Sequence, residues 1–144
     1  MIKKGYTLLE VIIVMAILTI LIPIVIRGTE TYRFIDNITS KSLKSDIANL
    51  ISFAKQYSYN TGNAGRLEIN LSKGEIAFID VKSELTKNVV AKVTLPKGYS
   101  FVEDYYISVS SKGVVSSDSI MFKSLTGEQH KVTISVGIDL VNIY

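Results

Sequence analysis

The chain has 144 residues, 47% of them apolar, with 16 basic and 13 acidic side chains and a net charge of +3. It contains no Cys, no Trp and one His, so disulfide staples, thiol nucleophiles, Cys-based zinc clusters and two-His metal motifs are excluded. The length suits one domain plus a membrane segment.

Met1-Ile2-Lys3-Lys4-Gly5 is a short basic peptide without an apolar core of its own, which reads as a processing segment. Without Lys3 and Lys4 the balance falls to 14 basic against 13 acidic residues, so the remaining chain is nearly neutral. A broad basic surface for nucleic acid is therefore poorly supported. By the positive-inside rule the two lysines lie on the cytoplasmic side, and the rest of the chain faces outward.

Tyr6–Ile26 is predominantly apolar with one charged side chain, Glu10, and at 1.5 Å per residue gives about 32 Å of helix. That matches a hydrocarbon core of about 30 Å. A charge at the centre of such a span costs roughly 2.5–3.5 kcal/mol, less near its edge. Glu10 therefore needs a counter-charge. The nearest one is the amine exposed if the chain is cut after Gly5, leaving Tyr6 as the first residue. Pro23 removes a backbone donor and marks a kink or flexible point; Arg27 and Gly28 mark the outer end.

The spacing predicts that the same helix continues from Thr29 to about Asn60. Leu43, Ile47, Leu50, Ile51, Ala54 and Tyr57 form one stripe, opposite Lys41, Ser45, Ser52 and Gln56. Tyr32, Phe34, Ile35 and Ile38 are apolar but less regular, and are expected to lie outside the globular domain. Gly62 is the expected C-terminal cap.

From Arg66 the period becomes two. Arg66–Leu71 and Glu75–Val81 form a hairpin across Ser72-Lys73-Gly74, with Leu67, Ile69 and Leu71 on one face of the first strand. In the second, Ile76 and Phe78 oppose Ala77, Ile79 and Val81. Lys82–Asn88 is a charged loop. Val89–Leu95, Tyr99–Val102, Tyr105–Val109, Ser119–Ser124 and Lys131–Val136 follow as strands, and Asp139–Tyr144 as a last one. No second helix appears. The expected fold class is α+β, one long N-terminal helix packed on an antiparallel sheet, with the strand order open.

No residue set supports catalysis. His130 beside a turn reads as a strand-edge surface residue, and Gly62–Gly65 lacks the Lys-Ser/Thr of a phosphate loop. Glu103-Asp104 beside two tyrosines reads as a solvated loop ahead of a cation site. Lys82, Lys87, Lys92 and Lys97 recur every five residues; a DNA-contacting strip is one reading and isolated surface lysines the blander one. No cofactor is implied, and no metal.

The run from Lys3-Lys4-Gly5 through Tyr6-Thr7-Leu8-Leu9-Glu10 into an apolar helix resembles the N-terminus of the type IV pilin-like family. The family more often has Phe where Tyr6 stands, and Pro23 lies about one turn earlier than in typical major pilins. The order of helix, hairpin and closing strand with Gly137 resembles the H-type minor pseudopilins of type II secretion, and related competence and pilus minor subunits. Here Ile138-Asp139 follow Gly137, where that group often has a basic residue.

The resemblance implies a pilin-like fold and an enzyme-free structural role. It divides the chain into a leader at 1–5, a transmembrane and assembly segment at 6–28 and an extracytoplasmic domain at 29–144. It implies cleavage between Gly5 and Tyr6 by a prepilin peptidase, N-methylation of Tyr6, and pairing of Glu10 with the Tyr6 amine of an adjacent subunit. Other pilin subunits, an inner-membrane assembly platform and membrane lipid are the implied partners. The machine served would be secretion, DNA uptake or pilus biogenesis. A filament-tip module contacting DNA or exoprotein, and a major pilin, are the alternatives.

Overall fold

The computed structural model describes residues 8–81, 88–135 and 141–143, apart from the side chains of 25–29 and 141–143. The chain divides into two compact units, one ending at Asn37 and the other beginning at Ile38.

A single helix, α1, spans Leu8–Thr61. It runs through Pro23 with no interruption in its assignment. Pro23 has no N–H for the Thr19 carbonyl four residues back. The Thr19 hydroxyl itself donates to the Ala16 carbonyl at 2.8 Å. At the other end, the Gly62 N–H donates to the Ser58 carbonyl at 2.9 Å with φ of 68°. That left-handed conformation is nearly free only for glycine, so the helix stops where the sequence supplies one.

In the second unit, α1 buries the predicted stripe. Leu43, Ile47, Leu50, Ile51 and Ala54 are buried and Tyr57 is half-buried, while Lys41, Ser45, Ser52 and Gln56 stay exposed. Each large apolar side chain withdrawn in this way contributes about 1.5–3 kcal/mol.

Eight strands follow, in two four-stranded antiparallel sheets. The first contains β1 (Gly65–Asn70), β2 (Glu75–Asp80), β3 (Asn88–Thr94) and β5 (Tyr105–Val109), in the order β3-β2-β1-β5. The second contains β4 (Ser100–Phe101), β6 (Asp118–Lys123), β7 (Gln129–Ile134) and β8 (Val141–Ile143), in the order β4-β6-β7-β8. The sequence left the order open, and hairpin neighbours pair as expected in both sheets. Leu67, Phe78, Ile107, Phe101, Ile120, Phe122 and Val132, drawn from both sheets, join the helix stripe in one core.

Two residues depart from the expected alternation. Leu71 and Val81 lie just past their strands and are exposed at 41% and 44%. Leu71 belongs to the turn that Asn70 closes, where Asn70 Oδ1 accepts from the Ser72 hydroxyl at 2.8 Å and the Lys73 N–H at 2.9 Å. Strand β2 is buried on both faces, not one. Ile76 and Phe78 enter the core, while Ala77 and Ile79 are flanked by the long side chains of Arg66, Glu68 and Lys92 on the neighbouring strands. The stems of such residues shield apolar neighbours from water.

Candidate assembly surface

From Leu8 to Ile24 every side chain of α1 is exposed, including Leu8 at 80%, Ile20 at 66% and Ile24 at 62%. A helix that is apolar all round has no face suited to water and needs lipid or other helices around it. Tyr32, Phe34, Ile35 and Ile38 are also exposed, as their irregular spacing suggested. The described apolar run from Leu8 to Ile24 measures about 26 Å as helix, a few ångströms less than a hydrocarbon core. Among the described residues no helix is long and apolar enough to cross a membrane.

Glu10 lies in the first described turn of α1. It stands one turn from Val14 on the same face, and with Val11, Val14 and Met15 it borders a shallow apolar depression. Glu10 is the one charged side chain between Leu8 and Ile24. Gly5 and Tyr6, the expected cleavage junction and methylation site, lie outside the described residues.

Residues 1–22 match the family described as the prokaryotic N-terminal methylation motif. No curated protein matches the sequence. Two solved structures, both of the minor pseudopilin EpsH from the type 2 secretion system of Vibrio cholerae, are similar to this chain in fold. One aligns with a TM-score of 0.60 at 12% identity, over 76% of this chain and 94% of that one. The other aligns with a TM-score of 0.50 at 14% identity, over 68% and 87% respectively. The chain has the fold of a pseudopilin behind a prokaryotic N-terminal methylation motif.

Elsewhere in the chain, the remaining candidate residues take structural places. His130 is not the surface residue expected from its neighbouring turn. Strand β7 already begins at Gln129, so His130 shares the inward face of Val132 and Ile134 and stands opposite Phe122, with ring centres 5.3 Å apart. Its buried Nε2 has no hydrogen-bond partner among the described residues. Asp104 accepts from the Leu71 N–H at 2.5 Å, which ties it to the end of β1. Among the described residues no three acidic or His side chains gather into a metal-holding group. Gly65 sits so close to the Phe78 ring that a Cβ would collide with it, which accounts for a glycine at the start of β1.

The lysine strip is only partly visible. Lys82 and Lys87 lie outside the described residues, Lys92 pairs with Glu75 at 3.2 Å, and Lys97 is exposed in a turn. With Lys92 already neutralised, the described part adds nothing to the DNA reading.

The sequence reading passed over a polar hub at the helix C-terminus. Asp80 is buried at the end of β2, and its Oδ2 accepts from the Tyr57 hydroxyl at 3.1 Å and the Asn63 amide at 3.2 Å. The bond to Asp80 is the main cause that holds the Tyr57 pKa above its ordinary value, followed by burial and the Asp80 charge. The signal was an Asp closing an apolar strand that returns to the helix cap. Tyr105 donates to the Ser119 carbonyl at 2.7 Å; burial raises its pKa strongly, and Asp118 and Glu103 add to the effect.

Proposed function

We propose that this chain is a minor pseudopilin or minor pilin, a structural subunit that joins a type IV filament machine through the N-terminal part of α1. The observation that carries the reading is the methylation motif at residues 1–22 leading into a helix whose apolar side chains are exposed from Leu8 to Ile24, ahead of a pseudopilin-like fold. A prepilin peptidase removes residues 1–5, and the new Tyr6 amine is methylated. Residues 6–28 then hold the subunit in the inner membrane, with residues 29–144 outside, until it enters the filament. There Glu10 meets the Tyr6 amine of a neighbour, so that two charges neutralise each other inside an apolar environment. Lipid, other pilin subunits and the assembly platform surround this segment. The role is structural rather than catalytic.

Mass spectrometry of the membrane form tests the processing step. The expected chain begins at methylated Tyr6, and Gly5→Val blocks its appearance because a branched side chain obstructs the peptidase. An intact Met1 start in cells that contain the peptidase would reject the reading.

A further inference from the structure

The first sheet has two edges, and they are built differently. The edge at β5 is covered. Val115 bridges to Val109, the Ser116 N–H donates to the Ser108 carbonyl at 3.0 Å, and the Ser110 N–H donates to the Val114 carbonyl at 2.8 Å. The edge at β3 has no such cover among the described residues.

The hydrogen-bond phase of β3 identifies its open groups. The Leu95 N–H donates to the Gly74 carbonyl at 2.8 Å, so Gly74 and Leu95 form a hydrogen-bonded pair. Such pairs alternate along an antiparallel ladder. Ile76–Val93 and Phe78–Ala91 are therefore hydrogen-bonded, and Glu75–Thr94 and Ala77–Lys92 are not. The backbone N–H and C=O of Lys92 and Thr94 consequently point out of the sheet. A register shift between Phe78 and Ile79 disturbs the start of β3, a common protection for an edge, but leaves Ala91–Thr94 regular.

Beside this open stretch lies a groove between β3 and α1. Asp46, Leu50 and Phe53 line it from the helix, and Ala91 and Val93 from the strand. Phe53 remains 42% exposed although its ring stands edge-on to Phe78 at 6.4 Å. Asp46 is exposed and has no ion pair or hydrogen bond among the described residues. Lys92 is paired with Glu75, so the uncompensated charge lining the groove is negative.

We propose that β3 and this groove bind an extended segment of another protein chain by strand addition. The segment pairs its backbone with Lys92 and Thr94, lays an apolar side chain over Phe53 and Leu50, and sets a Lys or Arg against Asp46. Backbone pairing supplies the affinity, and the residues opposite Ala91 and Val93, which share their face, supply the selectivity. A second copy of this chain fits less well. Its own β3 would offer Ala91 and Val93 on the groove face, with no cation for Asp46.

Phage-displayed random peptides panned on the full-length chain in detergent test this, followed by calorimetry with the enriched peptides. Enriched peptides should alternate apolar and polar residues and contain a Lys or Arg, and Asp46→Lys should weaken them about tenfold or more. Thr94→Pro should have a similar effect on binding. Its N–H is not used within the sheet, so an edge proline leaves the β2–β3 ladder intact. Should Thr94→Pro lose its cooperative melt, Asp46→Lys and Phe53→Ser, both on the exposed side of the helix, decide the matter. Absence of enrichment would overturn the proposal, as would peptides that bind these two variants as tightly as the original chain. Self-association of the full chain that Thr94→Pro abolishes would overturn it in favour of a second copy.

Discussion

The two ends of α1 share a conformation and little else. Between Leu8 and Ile24 its apolar side chains are exposed on every side, whereas between Leu43 and Ala54 they lie along one stripe and are buried. Helix propensity does not separate the two stretches, since both are rich in Leu and Ile. Pattern does. A stripe with polar residues opposite it can be satisfied by one folded partner, and the two sheets provide that partner within the chain. An all-round apolar surface cannot be satisfied in this way and is left for other molecules.

The largest effect should come from the core beneath the second stretch. Phe78→Ala removes a fully buried ring in contact with Tyr57 and Phe53, and should cost about 3–5 kcal/mol in thermal or denaturant unfolding followed by circular dichroism. Ile13→Ala, in the exposed stretch, should change the same transition by less than about 0.5 kcal/mol. Comparable losses for both would erase the distinction between the two ends.

Gly65→Ala should come next. The added methyl meets the Phe78 ring and the Ile79 carbonyl, and a crowded core typically costs about 1–3 kcal/mol. Unchanged stability would mean that β1 can shift away from β2 there.

How much of this was legible in the sequence follows the same division. The helix stripe was readable because Leu43, Ile47, Leu50 and Ala54 recur with the helical period, and Gly62 marks its end. The strands were readable within a residue or two because turns at Ser72-Lys73-Gly74 and Leu125–Gln129 punctuate them. The split into two sheets was not, because pairing between strands distant in sequence, such as β1 with β5, leaves no local signal. The inward position of His130 could have been reached by counting back in twos from Ile134 and Val132. It was hidden by placing the strand start after it. In the exposed stretch Glu10 stood out because it is the lone charge of an apolar run.

Smaller effects probe the polar links of the folded unit at high pH. Tyr105 and Tyr57 hold their protons more tightly in the folded state than in the unfolded one. Their contribution is therefore complete below the ordinary tyrosine value of about 10 and is lost as the pH rises above it. Ultraviolet titration should show two late tyrosines, with unfolding accompanying their ionisation. Tyr105→Phe should flatten the alkaline loss of stability; an unchanged pH profile would remove Tyr105 from the explanation. A small change is also expected from Glu75→Gln, which weakens a solvent-facing pair with Lys92 and should cost about 0.2–1 kcal/mol, declining with added salt.

The most direct test of the division is Glu10→Gln in the intact cell. The substitution removes the charge from the exposed apolar stretch. Cleavage after Gly5 and membrane insertion should persist, since an uncharged residue enters lipid more easily. The unfolding transition of the second unit should be unchanged. Crosslinking to filament partners should fall, because the partner amine has lost its counter-charge. Crosslinking equal to the unsubstituted chain, together with full function of the machine, would contradict the assembly role of Glu10.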